Sequence, residues 1–373
     1  MGNEISSILC VADINVSGAL DQCLKELELP EVFIQRAKQM SLTFRHGFLG
    51  FRPSAKLEES RALLYRIYVP KKFANGIIHY ISDVTDIKMA GGGCLLLQHI
   101  GHYRGEPLSF DEEKLENLGG KGRKLIRDDH SLVCCTVPRG LANSLAEVVL
   151  ELGICVPIVF YGNGVGLRDK LGLMRITVPV EKEIIWFLVP RSEVQLVEKT
   201  LIPLAHLDVP GKGFLYNFPV HAPVVNLRIM HGRRTHAATM EQVIAALDEV
   251  RGSSDWRRLG SRKSGFFGVG EKTYNARGLF FIGEEEDAEV FRKTAMENGA
   301  RGATMNSLEM RTYLHSKEGH SMESHSRSLC DIIVTPTVEE KLLKNLPKTG
   351  LFETGRTCVL KTFDVEMHAF NRK

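Results

Sequence analysis

Two stretches of this 373-residue chain are built on one template. Residues 68–96 and 188–216 each open on an apolar run that ends in Val-Pro, at Val69-Pro70 and Val189-Pro190. Each continues with apolar residues at helical spacing and closes on glycines ahead of a second apolar run. Pro70 and Gly91 are 21 residues apart, as are Pro190 and Gly211. A third, looser copy runs from Ile332-Ile333-Val334-Thr335 to Gly355 and is one residue shorter. A block that recurs at constant internal spacing is one supersecondary unit used repeatedly. Any fold for this chain must therefore accommodate three related segments.

The middle segment reads most clearly. Residues 132–137 form a short apolar strand, and 139–152 a helix with Leu141, Leu145, Val148, Val149 and Leu152 on one face. Gly153 is placed to stop that helix. A strand over 156–161 runs into Gly162-Asn163-Gly164-Val165-Gly166, read as a loop. A strand at 184–189, a helix at 191–205 and a strand at 215–220 complete the order β-α-β-β-α-β, the ferredoxin-like arrangement. The first segment repeats it: strand 5–12, a helix over 17–27 capped by Ser17, strand 32–44, a loop around 47–59, strand 63–69, helix 71–81 and strand 94–99. The third has a strand at 279–282, helix 287–298 with Gly299 as its stop, strands at 303–314 and 329–335, helix 338–346 and strand 358–365. The domains expected are thus 1–100, 131–232 and 277–373. A linker at 101–130 and a helical, basic linker at 233–276, with one helix over 240–250, join them.

Composition narrows the class. A hydrophobic share of 43% with 25% charged residues suits a globular chain with a sizeable core. A net charge of +3 gives no electrostatic case for nucleic acid. No run is long enough for a membrane span, and the first residues carry no basic-then-apolar signal, so a cytoplasmic protein is expected. The eight cysteines include no Cys-x-x-Cys, and most sit in apolar runs, which suits buried reduced thiols. No Gly-x-Ser-x-Gly, Walker lysine loop or His-Glu-x-x-His occurs, so no enzyme is expected.

Four features of the middle segment carry a family resemblance: the run LVCCTVPRGLANSLAEVVLELGI, the strand entering Gly162-x-Gly164, the run KEIIWFLVPRSEVQLVEKTLIPLA, and Gly211-Lys212-Gly213 leading into FLYNFPV. Over residues 131–232 the chain resembles the PII-type nitrogen regulatory signal proteins. The resemblance implies an α+β fold of three tandem ferredoxin-like, PII-like domains that form an intramolecular pseudo-trimer. It also implies a signalling protein that binds an adenine nucleotide, ATP or ADP, between neighbouring units and acts on a protein partner through exposed loops.

By that resemblance the nucleotide is held by Gly162, Gly164 and Gly166 on one loop, by Gly211, Lys212 and Gly213 on another, and by Arg228 from a neighbouring unit. Glycine lets backbone N–H groups approach phosphate closely, and a cation completes the cradle. Phe214 stands where the family has a lysine, and Met230 where it has a second arginine. The first segment keeps only Gly91-Gly92-Gly93 and the third only Gly355-Arg356, so fewer than three equivalent sites are expected. A second reading is a non-catalytic scaffold, or a metal-binding trimer of the copper-tolerance type, using His315, His320 and His325 with Glu318 and Glu323. No metal site is assigned. His221, His231 and His236 are read as surface or linker residues, and Glu181-Lys182-Glu183 as a solvated strand entry.

Overall fold

A computed structural model of the chain describes residues 4–45, 54–105, 110–118, 129–166, 181–209, 211–226, 230–231, 273–313, 323–353 and 356–368. The first segment contributes β1 (Ile5–Asp13), α1 (Ile14–Glu26), β2 (Val32–Arg45), β3 (Ser54–Pro70), α2 (Lys71–Val84) and β4 (Gly93–His99). After it come β5 (His102–Arg104) and the short α3 (Glu112–Glu116). The second contributes β6 (His130–Pro138), α4 (Ala142–Glu151), β7 (Ile158–Gly166), β8 (Glu181–Pro190), α5 (Val194–Leu204) and β9 (Phe214–Val224), with β10 (Met230–His231) behind it. The third contributes β11 (Thr273–Gly283), α6 (Glu285–Glu297), β12 (Gly302–Thr312), β13 (Glu323–Val334), α7 (Pro336–Asn345) and β14 (Val359–His368).

The strands do not divide into three sheets. They run as one, in the order β10-β2-β3-β1-β4-β9-β6-β8-β7-β12-β13-β11-β14-β5, and further pairings β2–β7, β2–β12 and β9–β14 close it on itself. Pairing is antiparallel except where β10 lies parallel to β2. The expectation of three tandem ferredoxin-like α+β domains assembled as a pseudo-trimer is therefore overturned. The protein is a closed antiparallel β-barrel in which sheet predominates and seven helices are described. The physical reason lies at the edges. A free-standing four-strand sheet exposes unpaired N–H and C=O groups on its outer strands. Here those edges pair with the next segment: Leu97 with His221 (β4–β9), Asn217 with Glu366 (β9–β14), Thr304 with Gly164 (β12–β7) and Ile34 with Glu309 (β2–β12). Backbone hydrogen bonding makes one body of what side-chain patterning alone reads as three.

Within that body the register repeats. Leu9 on β1 lies between Arg66 (β3) and Leu96 (β4). Cys134 on β6 lies between Trp186 (β8) and Tyr216 (β9), and Phe280 on β11 between Asp331 (β13) and Lys361 (β14). Because side chains alternate across a strand, each segment sends one face inward and one outward. The inward faces share a single core that includes Leu9, Leu96, Cys134, Trp186, Tyr216, Phe218, Phe280 and Phe363. The outward faces bury separate helical layers: Leu20, Leu24, Ile77 and Ile81 in the first segment, Leu145, Val149, Val197 and Leu201 in the second, and Phe291, Ala295, Leu342 and Leu346 in the third.

Helix positions agree with the apolar periodicity, while several ends shift. Helix α1 starts at Ile14 and is capped by Asp13, whose carboxylate accepts from the Asn15 amide; Ser17 lies inside the helix and donates to the Ile14 carbonyl. Strand β3 begins at Ser54, so residues 54–59 of the expected loop around 47–59 are strand, extending a ribbon whose Arg45 pairs with Ser54, while 47–53 lie outside the described residues. Met40 and Leu42 of that ribbon reach the helical layer of the second segment. The helix expected over 240–250 lies outside the described residues.

Candidate functional site

The six glycine and lysine positions expected to cradle phosphate fall into two different environments. Gly162, Gly164 and Gly166 are strand, not loop. Gly162 pairs with Lys182 of β8, and Gly164 and Gly166 pair with Thr304 and Gly302 of β12. Close packing explains the residue type at the first two. A Cβ on Gly162 would stand 2.3 Å from the Asn306 side-chain oxygen and 2.9 Å from the Met305 carbonyl; one on Gly164 would stand 2.8 Å from Lys182. At Gly162 glycine lets the third segment approach, whereas Gly164 is packed by Lys182 of its own segment; the backbone of Gly164 and Gly166 is engaged in the ladder that joins the two segments.

Gly211, Lys212 and Gly213 do form a turn, the one that leads into β9. Gly211 takes φ 87° and Gly213 φ 144°. The first segment repeats the pair, with Gly91 at 89° and Gly93 at 144°. These angles suit glycine and strain any other residue. A Cβ on Gly93 would lie 1.8 Å from the Val11 carbonyl, and one on Gly213 2.2 Å from that of Thr136. Gly211 and Lys212 are exposed, and the Lys212 amide donates to the Val209 carbonyl at 3.2 Å. Two strands, β6 and β8, separate β9 from β7. At the usual strand spacing the two glycine groups stand roughly 14 Å apart across the sheet. Arg228 lies outside the described residues.

The first segment's turn meets its neighbour. The Gly91 amide donates to Oδ1 of Asn226 at 3.2 Å, and the Asn226 amide group in turn donates to Gln39 on β2. Asn226 is buried and follows β9 of the second segment. A side-chain oxygen from one segment thus sits on the glycine turn of another. In the third segment Gly355 lies outside the described residues, and Arg356 is bound to Asp287 of α6.

Of the histidine set, His315 and His320 lie outside the described residues with Glu318; Glu323 and His325 are on β13, where His325 is exposed. Among the described residues no group of three or more His, Cys, Asp or Glu is placed to hold a metal. The Glu181-Lys182-Glu183 run is not uniformly solvated. Glu183 is buried and accepts from the Gly140 and Ala142 amides at 2.9 and 2.7 Å, at the start of α4. Lys182 is half-buried, which holds its ammonium below the usual lysine range.

Sequence reading missed a second polar locus, inside the barrel. The repeated register places Arg66, Trp186 and Asp331 at equivalent points of three strands. The Arg66 guanidinium lies 5.5 Å from the Trp186 ring centroid and donates to Gln35 at 3.0 Å. Asp331 accepts from the Tyr216 hydroxyl at 3.3 Å. Burial pushes its carboxyl up to about 7, opposed by the Tyr216 hydrogen bond and by the charges of Arg66 and Lys361. Lys361, fully enclosed, donates to Gln98 at 2.7 Å and to Ser7 at 3.3 Å, and has the rings of Phe280, Phe363 and Tyr68 within 4.9, 5.4 and 5.6 Å. Burial, then Arg66, drives its ammonium well below the usual range. Three rings and two oxygens surround this amine without a carboxylate contact, and its enclosure favours the uncharged form. The signal available beforehand was Arg66 itself, a charge inside the apolar run ALLYRIYV.

No family model matches the chain, and no curated protein is found similar to it.

Proposed function

We propose that this chain is a non-catalytic regulatory protein of the kind the PII resemblance implies. It binds an adenine nucleotide at the Gly211-Lys212-Gly213 turn and acts on a protein partner through exposed loops. One observation carries the reading: in the first segment the matching glycine turn already holds an oxygen, the Asn226 carboxamide, on its Gly91 amide. The turn geometry therefore presents N–H to an acceptor brought from elsewhere. The second turn has the same φ pair and adds an exposed cation, Lys212. Backbone donors beside a lysine suit phosphate oxygens. Gly162, Gly164 and Gly166 enter this proposal as the seam beside β12 rather than as a phosphate loop. The Asn226 contact makes the first turn a poorer site, in keeping with fewer than three equivalents.

All eight cysteines are buried and unbridged, which suits a reducing, cytoplasmic setting. Among the described residues no helix is long and apolar enough to cross a membrane.

Calorimetry with ATP, ADP and AMP tests the proposal. Binding below millimolar concentration is expected for at least one of them. Lys212→Ala should weaken it about tenfold, the value of one charged hydrogen bond, and leave thermal stability unchanged. No heat from any of the three at millimolar concentration, with the chain folded by circular dichroism, would sink the reading.

A further inference from the structure

At the seam between β4 and β9 two imidazoles from different segments converge. Nε2 of His99 and Nε2 of His221 stand 2.9 Å apart, with ring centroids at 4.9 Å and planes at 78°. His99 is exposed and His221 half-buried, so solvent reaches the pair. Both sit on paired strands: Leu97, two residues before His99, lies opposite His221, just past a register irregularity between Leu95 and Leu97. Glu4, on the chain just before β1, is ion-paired with Lys71 at 2.6 Å, and both charges act on His99, Lys71 the more strongly.

We propose that His99 and His221 are the protein ligands of a divalent copper site that clasps β4 to β9. The 2.9 Å separation is that of an imidazole–imidazole hydrogen bond, so a metal must open the pair, and the choice of ion rests on affinity: among divalent first-row metals copper(II) binds a given nitrogen donor set most strongly. No third His, Cys, Asp or Glu completes a cluster among the described residues. Water therefore fills the remaining positions, and the site is open and exchangeable. A direct imidazole–imidazole hydrogen bond is the arrangement without metal; for both Nε2 atoms to bind copper, the ring that donates in that bond takes the tautomer with its proton on Nδ1. The inference uses neither the glycine turns nor the His315–His325 segment and does not depend on the nucleotide reading.

The test is copper(II) sulfate titrated into the chelator-stripped full chain, read by electron paramagnetic resonance and by thermal unfolding. Other histidines also take up copper, so the decision rests on variants. The expected result is a tightest equivalent whose spectrum carries two nitrogen ligands, together with a copper-induced rise in Tm. His99→Gln and His221→Gln should each lower the affinity of that equivalent at least tenfold and abolish the rise. His325→Ala should change neither. Both variants alter side chains that touch solvent, and circular dichroism confirms that they fold. If the tightest equivalent keeps its affinity and two-nitrogen spectrum in either glutamine variant, or if only His325→Ala removes it, the site is elsewhere and the inference is wrong. If no equivalent binds, it is also wrong.

Discussion

Gly93 and Gly213 hold the same φ of 144° and press on the same place, the carbonyl near the end of their segment's first strand. The barrel interior treats equivalence differently. There the matched positions carry arginine, tryptophan and aspartate, and the neighbouring matched positions carry Leu96, Tyr216 and Lys361. At the turns a backbone constraint acts inside each segment, so every copy meets it alone and the same residue solves it. In the interior the copies face one another. Three arginines at equivalent positions would place three uncompensated charges in one core, at a desolvation cost of several kcal/mol per ion. A guanidinium over an indole, with a carboxylate within electrostatic reach, removes that repulsion. Segments joined in one chain can hold three different residues at matched positions, which identical subunits of a symmetric homo-oligomer cannot.

This contrast can be broken experimentally. The largest effect belongs to the turns. Gly93→Ala and Gly213→Ala combine left-handed strain with overlap of a carbonyl, and each should lose roughly 4 kcal/mol in urea unfolding. Gly93→Ala should be the worse of the two, because its Cβ would lie closer, 1.8 Å against 2.2 Å. If one is neutral, the turns are not copies. Next comes the interior. Arg66→Met should cost about 3 kcal/mol by removing the charge that acts on Asp331 and the donor to Gln35, and Arg66→Met with Asp331→Leu should recover at least about 1 kcal/mol of that loss. Strict additivity of the two changes would show that the row is not a complementary set. The smallest effect is a gain. The helix-ending position has Gly153 at φ 69° and Gly299 at φ 110°, but Glu28 at φ 52°. Glu28→Gly should raise stability by about 1 kcal/mol, less whatever is lost with the 3.0 Å ion pair from Glu28 to Lys114. A loss on thermal unfolding would mean that the ion pair outweighs the strain.

Much of the local structure was legible. Leu145, Val149, Val197 and Leu201 face inward as their spacing implies, because helical amphipathicity is written residue by residue. Gly153 ends α4 with positive φ, as a glycine after an apolar helix suggests. Three misreadings share one cause. Gly162 to Gly166 look like a loop, because glycine breaks strands when no neighbour is considered; in the barrel β12 lies beside them. Residues 54–59 look like loop, because SAKLEE carries little apolar alternation, yet they pair along β2. Glu183 looks solvated beside Glu181 and Lys182, yet the start of α4 brings two amides to it. The second correction comes from the adjacent arm of a long hairpin, and the first and third from partners distant in the chain. The same holds for the interior row and for the His99–His221 pair, whose members are 122 residues apart.

The chain alone therefore determined three related segments, the faces of their helices and the glycines of two turns, since these follow from spacing and from backbone sterics within a few residues. Tertiary structure alone decided that the segments share one closed sheet instead of folding as separate domains. Outer-strand N–H and C=O groups carry no side-chain signature of the partner they will find. Their pairing is settled only when the segments are brought together and leaving an edge open is costlier than joining it.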